Sequence, residues 1–103
     1  MSEIPLPLET DQTDIHSDDA LMPQFKVIFL NDSVTTMEFV VRILIRLFEK
    51  DMDTAVHHTY EVHNLGSSHV VTLPLERAEF KRDQVHNAAR SEGFPFQCVL
   101  EKE

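Results

Sequence analysis

Phe25-Lys26-Val27-Ile28-Phe29-Leu30-Asn31-Asp32-Ser33-Val34-Thr35-Thr36-Met37-Glu38-Phe39-Val40 is the stretch whose reading decides the fold. Residues 25–30 read as a strand, being rich in β-branched and aromatic side chains. Asn31, Asp32 and Ser33 end it, because short polar side chains bond to nearby backbone and tolerate turn dihedrals. A helix start follows. Thr35 to Glu38 has capping-box spacing, with Thr35 as N-cap and Glu38 reaching back from N3. Strand, polar turn and helix in immediate succession make the first unit of a domain that mixes both elements.

Outward from this stretch the elements alternate. The first helix runs to about Glu49, with Phe39, Val40, Ile43, Leu44, Leu47 and Phe48 recurring at helical spacing. Asp51 is the expected N-cap of a second helix, Met52 to Asn64, in which Ala55, Tyr60, Val62 and Met52 are expected to face inward. Gly66 lies where a left-handed residue closes that helix. His69–Leu73 reads as a second strand ended by Pro74, and a third helix spans Leu75 to Glu92 with Gly93 as its stop. Ala78, Val85 and Ala89 are spaced for burial on it. A last strand, Phe96–Leu100, puts Phe96, Cys98 and Leu100 on one face. The order β-α-α-β-α-β predicts a small α+β sandwich, a three-stranded antiparallel sheet packed on three helices.

The length, 103 residues, suits one such domain. The first 22 residues are expected to be a flexible acidic arm, and residues 23–103 the folded core. The arm holds Glu3, Glu9, Asp11, Asp14, Asp18 and Asp19, with no Lys or Arg. Of the formal charge of −9, the arm therefore carries −6. This field repels phosphate backbones and anionic membranes, so neither nucleic acid nor membrane is expected as a partner. No stretch of about 18 apolar residues exists to span a bilayer, and the first residues do not look like a signal peptide. A single cysteine, Cys98, makes no internal disulfide and points to a reducing, cytoplasmic setting.

Catalytic chemistry finds little support. With only Gly66 and Gly93 there is no glycine-rich phosphate loop, and Cys98, on an apolar strand face, reads as core. No enzyme and no cofactor are expected. His57, His58, His63, His69 and His86 invite a second reading, a metal-binding or regulatory domain. His57 and Glu61 share a helix face, but the paired histidines of zinc helices are missing. Surface histidines are the expectation, with no metal.

Two places stand out: the loop Asn31 to Thr35 feeding Met37, and Glu61-Val62-His63-Asn64-Leu65-Gly66 at a helix end. Turn plus cap accounts for every polar residue of the first, and a dipole-friendly terminal histidine accounts for the second. A binding site is the alternative. Taken together, Lys26-Val27-Ile28-Phe29-Leu30-Asn31-Asp32, then Thr35 and Met37-Glu38-Phe39-Val40, closely resemble the bacterial ClpS adaptors, whose run reads roughly K-V-I-L-x-N-D-D-x-T-P-M-E-F-V. Val62-His63 followed by Gly66 resembles the A-V-H-x-x-G of that family. Glu76, Ala78, Glu79, Lys81, Ala89, Pro95, Cys98 and Leu100-Glu101 extend the likeness over residues 25–103.

The resemblance implies an adaptor that binds proteins by a bulky N-terminal residue, an N-degron, and passes them to a Clp unfoldase of the ClpA or ClpC type. It implies amine binding by Asn31, Asp32, Ser33, Thr35 and His63. It implies a hydrophobic pocket of Met37, Val40, Thr59, Val62 and Phe96, and contact of Glu76 and Lys81 with the unfoldase N-terminal domain. An ammonium losing water needs acceptors; Asn31 offers a carbonyl oxygen, and His63 accepts only when neutral, so acid is expected to weaken binding. The chain departs from the pattern at Ser33, where the family has a second Asp, at Thr36 for Pro, at Thr59 for a common Met, and at Phe96 for a common Leu. A shifted residue preference is expected. A monomer is expected, with the arm feeding the unfoldase.

Overall fold

A computed structural model describes residues 22–103; the expected arm lies outside them save for Met22. The elements are β1 (Gln24–Leu30), α1 (Met37–Phe48), α2 (Met52–Leu65), β2 (Ser67–Pro74), α3 (Leu75–Ser91) and β3 (Cys98–Lys102). The expected α+β sandwich is present. β1 pairs with both other strands, antiparallel, in the order β2-β1-β3. Val27 faces Val71 and Ile28 faces His69, so Val70 is an extra β2 residue at a bulge.

Val27 and Phe29 point from β1 into a core shared with Phe39, Ile43 and Leu44 of α1 and Ala78, Val85 and Ala89 of α3. Phe29 sits edge-on to Phe48 at 5.5 Å and to Phe96 at 5.1 Å, and Phe39 to Phe94 at 5.1 Å. Edge-to-face pairs suit the ring quadrupole and contribute about 0.5–1.5 kcal/mol each beyond area burial. Cys98 is buried here as expected, and burial pushes its thiol pKa up to about 12.

Several local expectations need correction. The N-cap of α1 is Thr36, whose Oγ1 accepts from Phe39 N–H at 3.2 Å. Thr35 is withdrawn into the loop by Asp32, so the Thr35–Glu38 capping box does not form. α1 closes on Glu49 in the left-handed region, φ 56°, without a glycine. Asp51 and Gly66 cap α2 as expected. Met52 and Tyr60, expected inward, are both more than half exposed, because α2 buries only the narrow stripe of Ala55, Thr59 and Val62. β3 begins two residues late, since Phe29 pairs with Cys98, although Leu30 N–H still donates to Gln97 O at 3.1 Å. Two histidines expected on the surface have internal partners. His58 meets Ser68, and His86 Nε2 accepts from the Cys98 N–H at 3.1 Å.

Candidate functional site

Asp32 organises the loop after β1. Its Oδ1 accepts from the N–H groups of Val34 at 2.8 Å and Thr35 at 2.7 Å, and its Oδ2 from Thr35 Oγ1 at 2.8 Å. Desolvation raises the Asp32 pKa, but the three hydrogen bonds outweigh it and hold the carboxyl below its usual range. The loop therefore has one built-in anion with a fixed orientation.

A second tie joins this loop to the end of α2. Gly66, at φ 94°, donates to Val62 O at 3.0 Å and closes the helix. Its own carbonyl accepts from Asn31 N–H at 3.0 Å. Asn31 and His63 belong to segments far apart in sequence, and this bond holds those segments together.

Between them lies a hollow of about 490 Å³, within the range of about 300–1,000 Å³ of small-ligand clefts. Asn31, Asp32, Ser33, Thr35 and His63 line it together with Met37, Val40, Thr59, Val62 and Phe96. All ten amine-site and pocket residues named from the resemblance thus border one cavity. They form two tiers. Asn31, Ser33 and His63 are exposed at the rim, whereas Val40, Thr59, Val62 and Phe96 are buried beneath. The Thr59 hydroxyl donates to Ala55 O at 2.8 Å, which satisfies its proton and leaves the methyl side apolar. Asp32 is the single formal charge among the ten. The arrangement can accept a cation at the rim and bury an apolar group below. Volume alone does not mark this site, since hollows of about 530 Å³ lie along α1 and α2 and beside β1. The polar rim over an apolar floor does.

The structure places Glu76 and Lys81 elsewhere, on α3. Glu76 is exposed in the first turn. Lys81 donates from Nζ to Leu47 O at 2.5 Å and lies 5.8 Å from the Phe48 ring centre, so it also serves the C-terminus of α1. The histidine cluster is hydrogen-bonded within itself. Ser68 Oγ donates to Glu61 Oε1 at 2.5 Å and meets His58 Nδ1 at 2.8 Å. Among the described residues no group of three or more His, Cys, Asp or Glu is placed to hold a metal ion. The metal-binding alternative therefore has no site there.

Sequence reading missed the Asn31–Gly66 link, a backbone bond that residue types do not encode. It also missed the apolar seam of Val41, Ile45, Met52 and Val56 beside the hollow. The run of apolar residues all round the first helix was the available signal.

The fold and this hollow define a small α+β domain that carries a polar rim over an apolar floor. Comparison with known proteins narrows the class. Residues 20–99 match the family described as ATP-dependent Clp protease adaptor protein ClpS. A relative from Desulfatibacillum aliphaticivorans, described as ATP-dependent Clp protease adapter protein ClpS, is 43% identical over 79 residues, covering 77% of this chain and 76% of its own. One from Brucella canis with the same description is 44% identical over 78 residues, covering 76% of this chain and 67% of its own. A solved structure, Agrobacterium tumefaciens ClpS2 bound to L-phenylalaninamide, superposes with a TM-score of 0.77 at 32% identity, covering 79% of this chain and 98% of that one. The chain belongs to the ClpS family of Clp protease adaptors. No helix among the described residues is long and apolar enough to cross a membrane.

Proposed function

We propose that the hollow binds the first residue of a protein chain, its free α-amino group at the rim and its bulky apolar side chain on the floor. The single observation carrying this reading is the joining of polar rim and apolar floor in one cavity. Asn31 and His63 supply acceptor atoms, Asp32 and its loop supply negative potential, and Ser33 leaves the rim with one carboxylate. The Agrobacterium relative binds L-phenylalaninamide, whose free amine and aromatic side chain have the same chemistry. Burying a large side chain beneath the rim contributes about 1.5–3 kcal/mol. The bound protein then passes to a Clp unfoldase of the ClpA or ClpC type, with Glu76 and Lys81 on the docking face and residues 1–22 engaging the machine. The adaptor acts in the cytoplasm as a monomer and does no chemistry of its own.

Fluorescence anisotropy tests the reading. Short peptides starting with Leu, Phe, Tyr, Trp, Ile or Ala are titrated beside their N-acetylated twins. A bulky first residue should bind and lose binding on acetylation; equal binding of the twins rejects amine recognition. In a degradation assay, Glu76→Lys should leave peptide binding intact and slow delivery. Loss of peptide binding in that variant would break the assignment of Glu76 to docking.

A further inference from the structure

The apolar seam beside the hollow has no role in the proposal above. α1 and α2 are joined by a short turn and run antiparallel, so Met37 lies toward Thr59 and Tyr60, Val41 toward Val56, and Ile45 toward Met52. These side chains line a groove of about 530 Å³. Met52 and Tyr60, two turns apart on α2, flank it with 59% and 53% exposure. Two residues, Met37 and Thr59, border both the groove and the hollow. The groove therefore adjoins the hollow across these two side chains.

We infer that the groove is a subsite for the segment that follows the first residue of a bound substrate, selecting an apolar side chain at its third position. The inference rests on the amine reading above. Its geometry follows from two lengths. Met37 to Ile45 spans about 12 Å of helix at 1.5 Å per residue. An extended chain advances about 3.3 Å per residue, so some four residues beyond the first cover the groove. Side chains alternate along an extended chain. With the first one directed down into the hollow, the third points down into the groove, and the second and fourth point to water. The fifth reaches the far end, where exposed Arg46 lines the groove and favours a carboxylate. Arg42 is already held by Glu92 through two hydrogen bonds of 2.7 and 3.0 Å. Selectivity of this adaptor thus has two parts, a first residue in the hollow and an apolar third residue in the groove.

The test uses the full chain and fluorescent peptides Phe-Ser-X-Ser-Ser-Lys, with X as Leu, Ser or Asp, each with its acetylated twin. The Leu peptide should bind about five- to tenfold more tightly than the Ser peptide, as expected for burying roughly half a leucine side chain. Val56→Thr, close to isosteric and beside the third side chain, and Tyr60→Ser, at an exposed position, should each reduce that advantage to below about twofold while leaving the Ser peptide unchanged. If acetylation abolishes binding but X makes no difference, the groove inference is overturned and the amine reading stands. If the Leu preference survives acetylation, the amine reading fails and the groove inference with it. Sedimentation showing self-association that both variants abolish would assign the groove to a second copy and overturn the inference.

Discussion

Asp32 holds Thr35 twice, through Oδ1 to its N–H at 2.7 Å and through Oδ2 to its hydroxyl at 2.8 Å. A side chain that could have capped α1 is thereby spent on the loop, and Thr36 caps in its place. The loop conformation that borders the hollow depends on this pair. Thr35→Val removes one bond and should cost about 0.5–1.5 kcal/mol of stability; Asp32→Ala removes all three and should cost more. Both should weaken binding of a Phe-initiated peptide, Asp32→Ala by the larger factor. Urea titration and anisotropy on the same samples check this. Unchanged affinity in both variants would mean that the loop does not position the rim.

Acid should destabilise the fold in two windows. His58 is depressed, chiefly by desolvation and then by Lys50. Its unfolded form binds a proton near 6.5, before the folded form does, so its contribution is complete above about pH 6.5 and is lost as pH falls below that. Asp32 is depressed by its hydrogen bonds against an opposing desolvation, so its contribution is present above about pH 3.9 and is lost as pH falls below that. Urea midpoints measured across pH 3–8 should therefore fall on acidification, first from about pH 6.5. His58→Phe should flatten the upper window and leave the lower one.

Gly66 joins two segments while in a conformation that L side chains rarely adopt, φ 94°. A Cβ there would meet nothing within 4 Å, so the cost of Gly66→Ala is purely that of the backbone, about 1–2 kcal/mol. Because the Gly66 carbonyl holds Asn31, the same change should also lower peptide affinity. Thermal melts and anisotropy on Gly66→Ala give both numbers; a melt unchanged from the parent would contradict the strain.

Thr59 is 4% exposed yet borders the hollow, so it sets the depth of the floor. Thr59→Met adds volume that can extend into this space and removes the hydroxyl that donates to Ala55 O. Affinity should fall most for peptides starting with Trp and Phe and least for Leu, changing the ranking by about tenfold, or 1.4 kcal/mol. An unchanged ranking would show that Thr59 does not shape selectivity.

The sandwich was legible because its signals are local. Periodicity of two around Val27 and Phe29 and of 3.6 around Phe39, Ile43 and Leu44 assigns elements, and Asp51 and Gly66 mark ends by their own backbone preferences. What was misread depends on competition or partners. Thr35 and Thr36 are equivalent as caps until Asp32 takes one. Tyr60 looks inward on apolar character, but how wide a stripe α2 buries depends on what packs against it. His58 and His86 have partners ten and twelve residues away.

The same division applies to the site. Residue types and order determined which side chains could accept an amine and which could hold an apolar group, and they carried the family resemblance, because chemistry and motif spacing belong to the chain itself. Only the tertiary structure decided that Asn31 and His63 border one hollow, that Phe96 supplies its floor from outside the strand, and that Met37 and Thr59 border both it and a groove. Those relationships come from strand pairing, the Asn31–Gly66 bond and the antiparallel packing of α1 on α2. They join residues distant in sequence, and no local propensity encodes them.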